Sequence, residues 1–280
     1  MGKVALVTGA NQGLGLALVK GLCARLDTED IVYLTARDAD RGRAARKAIG
    51  EVAPDLRFER LDVTQEFSVA AVAEAIRTRH GAVDIVISNA AARIAKDVAP
   101  ADQVAGFVDT NNHGTFRVLT RFLPILAAQG RLLVVASSFG RLMHLQPHLH
   151  DRFDPADASL ERIEAVMDDY VAAVREGTAE GAGWPDWINI PSKVGQVASA
   201  RIAARMTSEQ RPQDGILVNA VCPGLVDTEA SRPWFTDMSR ARSPAEAAED
   251  VLWLATLPHG TAAPHGELVQ YRKVLDWAGP

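Results

Sequence analysis

The amino-acid sequence predicts a single domain built on a doubly wound α/β sheet. Three features carry that expectation. Short β-branched runs alternate with helical patterns along the chain, a glycine-rich turn joins the first run to the first helix, and the polar motifs fall just after the runs. Strand–helix–strand repetition calls for parallel strands, right-handed crossovers and helices on both faces. Such a sheet binds ligands beyond the carboxyl ends of its strands, where the strand order reverses.

Residues 3–8 (KVALVT) read as the first strand and residues 15–26 as an apolar-striped helix. A second strand follows at 31–35, then a helix rich in Arg and Ala at 39–52. Residues 57–62 alternate as a short strand, 67–80 read as a helix and 83–88 as a strand. One long helical region spans 103–128, and a fifth strand covers 131–137. A helix at 191–206, a sixth strand at 216–221 and a seventh at 267–271 complete the pattern, a Rossmann-type parallel sheet of seven strands. Residues 141–186 break the rhythm, being too long for a simple connection. They read as an insertion after the fifth strand, with one or two helices folded over the sheet edge near the site.

Hydrophobic residues make up 48% of the 280 and charged residues 23%, with a net charge of −5. That is the balance of a globule with an ample core. The charges are mixed, without the basic stripe that nucleic acid demands. The opening residues read as a buried strand rather than a leader, and no apolar run reaches the length of a membrane span, so the expectation is a cytoplasmic protein with a small-molecule partner. Cys23 and Cys222 sit in apolar runs and read as buried free thiols. His144, His148 and His150 lie in the insertion without a carboxylate or cysteine pattern beside them, so no metal site is expected.

The first strand runs into Thr8-Gly9-Ala10-Asn11-Gln12-Gly13-Leu14-Gly15. Glycines at 9, 13 and 15 let the backbone turn tightly and approach a pyrophosphate, while the helix that follows offers free N–H groups and a positive dipole end. At the end of the second strand an acidic residue would bond the ribose 2′-hydroxyl of NAD, whereas arginine accommodates the 2′-phosphate of NADP. Here the stretch is Leu34-Thr35-Ala36-Arg37-Asp38, with Arg41 one helical turn on. Two guanidiniums suit a phosphate, which points to NADPH; Asp38 is the group that would serve NAD.

Together these residues resemble the short-chain dehydrogenase/reductase family, and within it the monomeric NADPH-dependent carbonyl reductases. TGANQGLG is similar to the family's TGxxxGxG. The resemblance implies that Asp62 and Val63 contact adenine, that Asn89 and Ala90 belong to the element after the fourth strand, and that Pro223, Gly224 and Thr228 form the turn closing over the nicotinamide. It also implies catalytic-site roles for Asn111, for Ser138 (second of the pair Ser137-Ser138) and for Lys193, which contacts the cofactor too. The insertion implies a monomer, because it covers the face used for oligomerisation by classical members.

One departure stands out. The family motif YxxxK matches Asn189-Ile190-Pro191-Ser192-Lys193, so the lysine is in place but asparagine stands where the tyrosine would be. In the family that tyrosine gives the proton while serine stabilises the oxyanion. An amide can hydrogen-bond an oxyanion but does not titrate usefully. Another acid must therefore stand in: Lys193, a water held by Asn111 and Lys193, one of the three insertion histidines, or Tyr170. Three functions fit this pattern: reduction of a ketone or aldehyde with NADPH and a replaced acid; a non-reductive isomerase, cyclase or lyase that keeps the cofactor; and a non-catalytic NADP-binding protein. Phe139, Leu142, Met143, Trp184, Trp187 and Trp234 flank the motifs and suggest an apolar ligand. Because Pro191 favours a helix start there, residue 189 is expected just before the first turn.

Overall fold

The computed structural model describes residues 2–153 and 158–279. Residues 154–157, part of the expected insertion, lie outside the described residues. The strands are β1 (Val4–Val7), β2 (Ile31–Ala36), β3 (Asp55–Arg60), β4 (Val83–Ser88), β5 (Leu126–Val135), β6 (Leu217–Cys222), β7 (Leu268–Gln270) and β8 (Lys273–Leu275). The helices are α1 (Gly13–Cys23), α2 (Ala39–Ile49), α3 (Glu66–His80), α4 (Pro100–Val108), α5 (Gly114–Phe122), α6 (His150–Phe153), α7 (Leu160–Arg175), α8 (Asn189–Gln210) and α9 (Pro244–Ala255).

The sheet runs in the order β3-β2-β1-β4-β5-β6-β7-β8. All neighbours pair in parallel except β7 with β8. Because a strand presents alternate residues to opposite faces, β1 sends Val4 and Leu6 into one apolar layer and Ala5 and Val7 into the other. Helices α3, α4, α5 and α8 bury residues in the first layer, and α1, α2 and α9 in the second. The order reverses between β1 and β4, and the ends of those two strands meet at Gly9 and Ala90. A Cβ added to Gly9 would stand 2.8 Å from the Ala90 Cα.

Five expectations need correction. Among the described residues the sheet has eight strands: an antiparallel β8 follows a two-residue turn made by Tyr271 (φ 51°) and Arg272 (φ 62°), neither of them a usual left-handed residue. The 103–128 region is not one helix. α4 gives way to a π-helical turn (Asp109–His113), α5 follows, and Pro124 sits in a 3₁₀ turn (Leu123–Ile125) that ends the helical run before β5 begins. α9, which periodicity left unassigned, is fixed by Ser243 and Glu246 in a reciprocal capping box with Pro244 at its start. The insertion carries α6 and α7, and α7 packs on α4 and α8, outside the helical layer rather than over the sheet edge. Finally, α8 starts at Asn189. The first four N–H groups of a helix have no intrahelical partner, so Pro191, third in the helix, does not delay its start.

Candidate active site

The first of two adjoining cavities, about 530 Å³, lies beyond the carboxyl ends of β1, β2 and β4. Gly9, Asn11, Gln12, Gly13, Leu14 and Gly15 form one wall. Gly9 (φ 61°) and Gly13 (φ 55°) adopt backbone that other residues avoid. A Cβ on Gly15 would meet the Gly9 carbonyl oxygen at 2.4 Å and Asn89 Nδ2 at 2.6 Å. The residue before α1, Gln12, gives no side-chain cap. The first N–H groups of the helix are therefore left to whatever fills the cavity, and a helix start favours an anion there.

Asn89 holds this turn from beneath. Its Nδ2 donates to the carbonyls of Thr8 (2.9 Å) and Gly9 (3.2 Å), and Thr8 Oγ1 accepts from the N–H groups of Asn89 and Ala90 (both 2.9 Å). The buried Thr8 hydroxyl thus joins β1 to β4 at the reversal point.

Arg37, Asp38 and Arg41 line the outer end of the same cavity. Asp38 caps α2, accepting from the N–H groups of Asp40 and Arg41 (both 3.0 Å). Those bonds and the nearby arginines hold its carboxyl below the usual carboxylate range. Arg41 makes only a loose pair with Asp38 at 3.9 Å, and Arg37 makes no side-chain ion pair among the described residues. Asp62, Val63, Asn89, Ala90 and Thr228 also line this cavity. Gly224 instead lines the second cavity, and Pro223 lines neither.

The second cavity, about 450 Å³, opens beside the first, and Lys193 lines both. Ser138, from the turn after β5, and Asn189, from the first turn of α8, also line it. Asn189 and Lys193 are four residues apart on one face of the helix. The wall is aromatic: Phe139 stands edge-on to Trp187 (5.0 Å between ring centroids), and Trp187 lies 5.8 Å from Trp234. Trp277 Nε1 donates to the Gly140 carbonyl (2.7 Å), so the C-terminal tail braces the turn that carries Ser138. Of the other expected apolar residues, Leu142 and Trp184 are buried in the core, and Met143 is exposed and lines neither cavity.

Lys193 Nζ donates to Gln196 Oε1 at 2.7 Å, with the Val135 carbonyl at 3.5 Å. Burial pushes its ammonium down to about 8. Cys222 lines the second cavity as well, accepts from Gln270 Nε2 (3.2 Å), and has its thiol pushed up by burial.

Asn111 does not fit the expected placement. It lies in the π-helical turn, is buried, and lines neither cavity. Its Oδ1 accepts from the Ala92 N–H at 2.8 Å, so the side chain braces the loop after β4. The other proposed acids, the three insertion histidines and Tyr170, line neither cavity, although His144 contacts the Ser138 backbone. His148 reaches the Ala182 carbonyl, His150 the Leu145 carbonyl, and His144 packs on Phe139 with its imidazole pushed down by burial. Tyr170 is fully buried against Trp184.

Residues 3–146 match the short chain dehydrogenase family. Over 278 residues, 98% of each chain, the sequence is 37% identical to human (Homo sapiens) carbonyl reductase (NADPH) 1. The chain belongs to the short chain dehydrogenase family. Mouse (Mus musculus) carbonyl reductase (NADPH) 1 is 34% identical over 278 residues, with the same coverage. Among solved structures, salutaridine reductase from Papaver somniferum superposes with a TM-score of 0.78 at 25% identity, covering 95% of this chain and 99% of that one. Menthone neomenthol reductase from Mentha piperita gives a TM-score of 0.76 at 23% identity over 96% and 99%, a likeness of fold. No helix among the described residues is long and apolar enough to cross a membrane.

Of the residues that the motifs single out, Gly9, Gly13, Gly15, Arg37, Arg41, Ser138, Asn189 and Lys193 line the two cavities, whereas Thr8 as a brace, Cys222 on the cavity wall and Gln196 as the partner of Lys193 carry no signal in the sequence.

Proposed function

We propose that this protein reduces the carbonyl of an apolar ketone or aldehyde with NADPH, using an atypical proton donor. The observation that carries this reading is the meeting of Ser138, Asn189 and Lys193 on one aromatic-walled cavity, joined at Lys193 to a glycine-lined cavity.

The first cavity suits a dinucleotide phosphate. Its glycine cradle leaves no room for a Cβ at Gly15, and its α1 helix start lacks a side-chain cap. Gly9, Asn11, Gln12, Gly13, Leu14 and Gly15 would hold the pyrophosphate, Asp62 and Val63 the adenine, and Arg37 and Arg41 a 2′-phosphate. Asp38 uses Oδ1 to cap α2 while its Oδ2 makes only the loose pair with Arg41, so the preference for NADP over NAD rests on the two guanidiniums at the outer end of the cavity. Bound there, NADPH supplies the hydride.

The protein's own part is to orient and protonate the substrate oxygen. Ser138 Oγ and the Asn189 amide donate hydrogen bonds to it, lowering the energy of the charge that develops as the carbonyl is reduced. Asn189 occupies the position of the family tyrosine and has no proton to give. Lys193, half-buried in the same wall with its ammonium lowered to about 8, carries a transferable proton at neutral pH. Aromatic groups from Phe139, Trp187 and Trp234 exclude water and favour an apolar substrate. A non-reductive lyase or isomerase is the second reading, favoured by Asn189 itself: a neutral amide beside an amine polarises a carbonyl without a strong acid.

The packing of α7 on α4 and α8 supports a monomer, since it covers helices that would otherwise meet a partner. A concentration-independent tetramer in sedimentation would refute that part. The function is tested by incubating the protein with NADPH and a panel of aromatic aldehydes and ketones, following cofactor absorbance and substrate mass together. Alcohol formed in step with NADPH oxidation supports reduction; a substrate of changed structure without NADPH oxidation supports the second reading.

A further inference from the structure

Gln196 stands one helical turn beyond Lys193 and is only 2% exposed. A buried side-chain amide needs partners for its oxygen and both its N–H groups. Here all are met. Nε2 donates to the Asn111 carbonyl (3.0 Å) and to Thr115 Oγ1 (3.1 Å), and Oε1 accepts from Lys193 Nζ (2.7 Å). Thr115 Oγ1 in turn donates to the same Asn111 carbonyl at 2.6 Å. The orientation of the amide follows from this geometry. A backbone carbonyl can only accept, so the nitrogen must face Asn111 and the oxygen must face Lys193.

Two consequences follow. Gln196 offers Lys193 an acceptor and nothing else, which favours the protonated amine over the neutral one. The Asn111 carbonyl, with two donors already on it, has both lone pairs used, so the interior side of Lys193 is sealed and its proton can leave only toward the cavities. We propose that Gln196 is a positioning residue of the active site: locked by Asn111 and Thr115, its amide holds the Lys193 ammonium as a hydrogen-bond donor aimed at the substrate cavity. The proposal rests on the reading of Lys193 as the group that gives the proton. The titratable group facing Lys193 from another element is Cys222 on β6. Arg93 lines both cavities that Lys193 lines, and Arg37, Asp38, Arg41, Asp62, Asp227 and Glu229 line the first, while β5 presents the neutral Val135 carbonyl to Lys193 and the π-helical turn and α5 bond its partner Gln196 through the Asn111 carbonyl and the Thr115 hydroxyl.

The test is the titration of Lys193 in the full chain, followed by NMR of ¹³Cε-labelled lysine and assigned with Lys193→Arg, in the parent, Gln196→Met and Gln196→Glu. Removing a charge-assisted acceptor should move the midpoint down by about one unit in Gln196→Met, and a carboxylate in its place should move it up by about one unit. The alkaline limb of kcat for carbonyl reduction should move with it. Gln196→Glu keeps the size of the side chain, and although its second oxygen meets the Asn111 carbonyl, the Thr115 hydroxyl can turn to donate to it, so this variant keeps the test alive should Gln196→Met fail to fold. Midpoints that shift in opposite directions support the role of Gln196 even where no variant turns over, and in that case it is the reductase reading that falls. A midpoint unchanged in both variants overturns the proposal, whatever happens to the rate.

Discussion

Replacing Asn189 by tyrosine is the perturbation that most sharply separates a changed acid from a lost activity. The structure places residue 189 in the first turn of α8, four positions before Lys193 on one face and lining the same cavity as Ser138. A phenol there would stand within reach of the Lys193 ammonium, which favours phenolate and so lowers the phenol pKa. A well-placed general acid contributes about 10²–10⁴-fold. Misplacement by about 1 Å can cost about 10²-fold, and the neighbouring Trp187 and Phe139 leave the ring little freedom. The expected gain in kcat for a simple aromatic aldehyde is therefore about 10²-fold, or about 2.7 kcal/mol of barrier. Because the helix already begins at 189, adding Pro191→Val to Asn189→Tyr should change little further. The assay is NADPH oxidation with product identified by mass, at matched cofactor saturation. A rate that stays at the parent's level, with NADPH affinity unchanged, would refute the reasoning that residue 189 occupies the acid's position.

Arg37→Ala and Arg41→Ala should each weaken NADPH binding by about tenfold or more, as expected for one charge-assisted contact to phosphate, and leave NADH nearly unchanged. Calorimetry showing the same loss for both cofactors would count against a 2′-phosphate site. Gly15→Ala should abolish nucleotide binding and destabilise the fold by about 1–3 kcal/mol, since its Cβ meets backbone that cannot yield; a parent-like urea midpoint and nucleotide affinity would contradict the tight turn. Lys193 makes a pH prediction for the ligand-free protein. Its amine is lowered from 10.5 to about 8 in the folded chain, so between those values the unfolded chain holds the extra proton and folding stability rises with pH. From about pH 7.5 to about pH 9.5 the lysine should contribute a gain of about 2 kcal/mol, seen as the difference between parent and Lys193→Met in urea unfolding. Parallel stability curves would show that the amine is not shifted.

What could be read from the sequence was what rests on local chemistry. The glycine turn at 8–15 declared itself because strand, turn and helix are contiguous, and Arg37 and Arg41 followed from their place at the end of β2. α9 was not read from the sequence, although Ser243-Pro244-Ala245-Glu246 carries the signature of its capping box. β8 was not legible: a hairpin turn is usually announced by Asn or Gly, and here Tyr and Arg adopt the left-handed backbone. Asn111 shows a different limit. Motif spacing locates the residue, but whether its side chain meets a ligand or the Ala92 N–H depends on the loop after β4, which is remote in sequence. Gln196 was hidden for the same reason. A glutamine in a helix ordinarily reads as solvated, and only the packing of α8 against the π-helical turn and α5 makes it the buried partner of Lys193.

The measurement that bears most directly on the whole account is the pH profile of NADPH-dependent reduction of an aromatic aldehyde by the parent protein and by Lys193→Met, with alcohol quantified by mass. With Lys193 as proton donor, the parent rate should be level near neutral pH and fall as pH rises through about 8, while Lys193→Met should lose about 10²-fold or more and show no such limb. Reduction that persists in Lys193→Met with the same alkaline limb would contradict the account, because the proton would then come from a group other than Lys193.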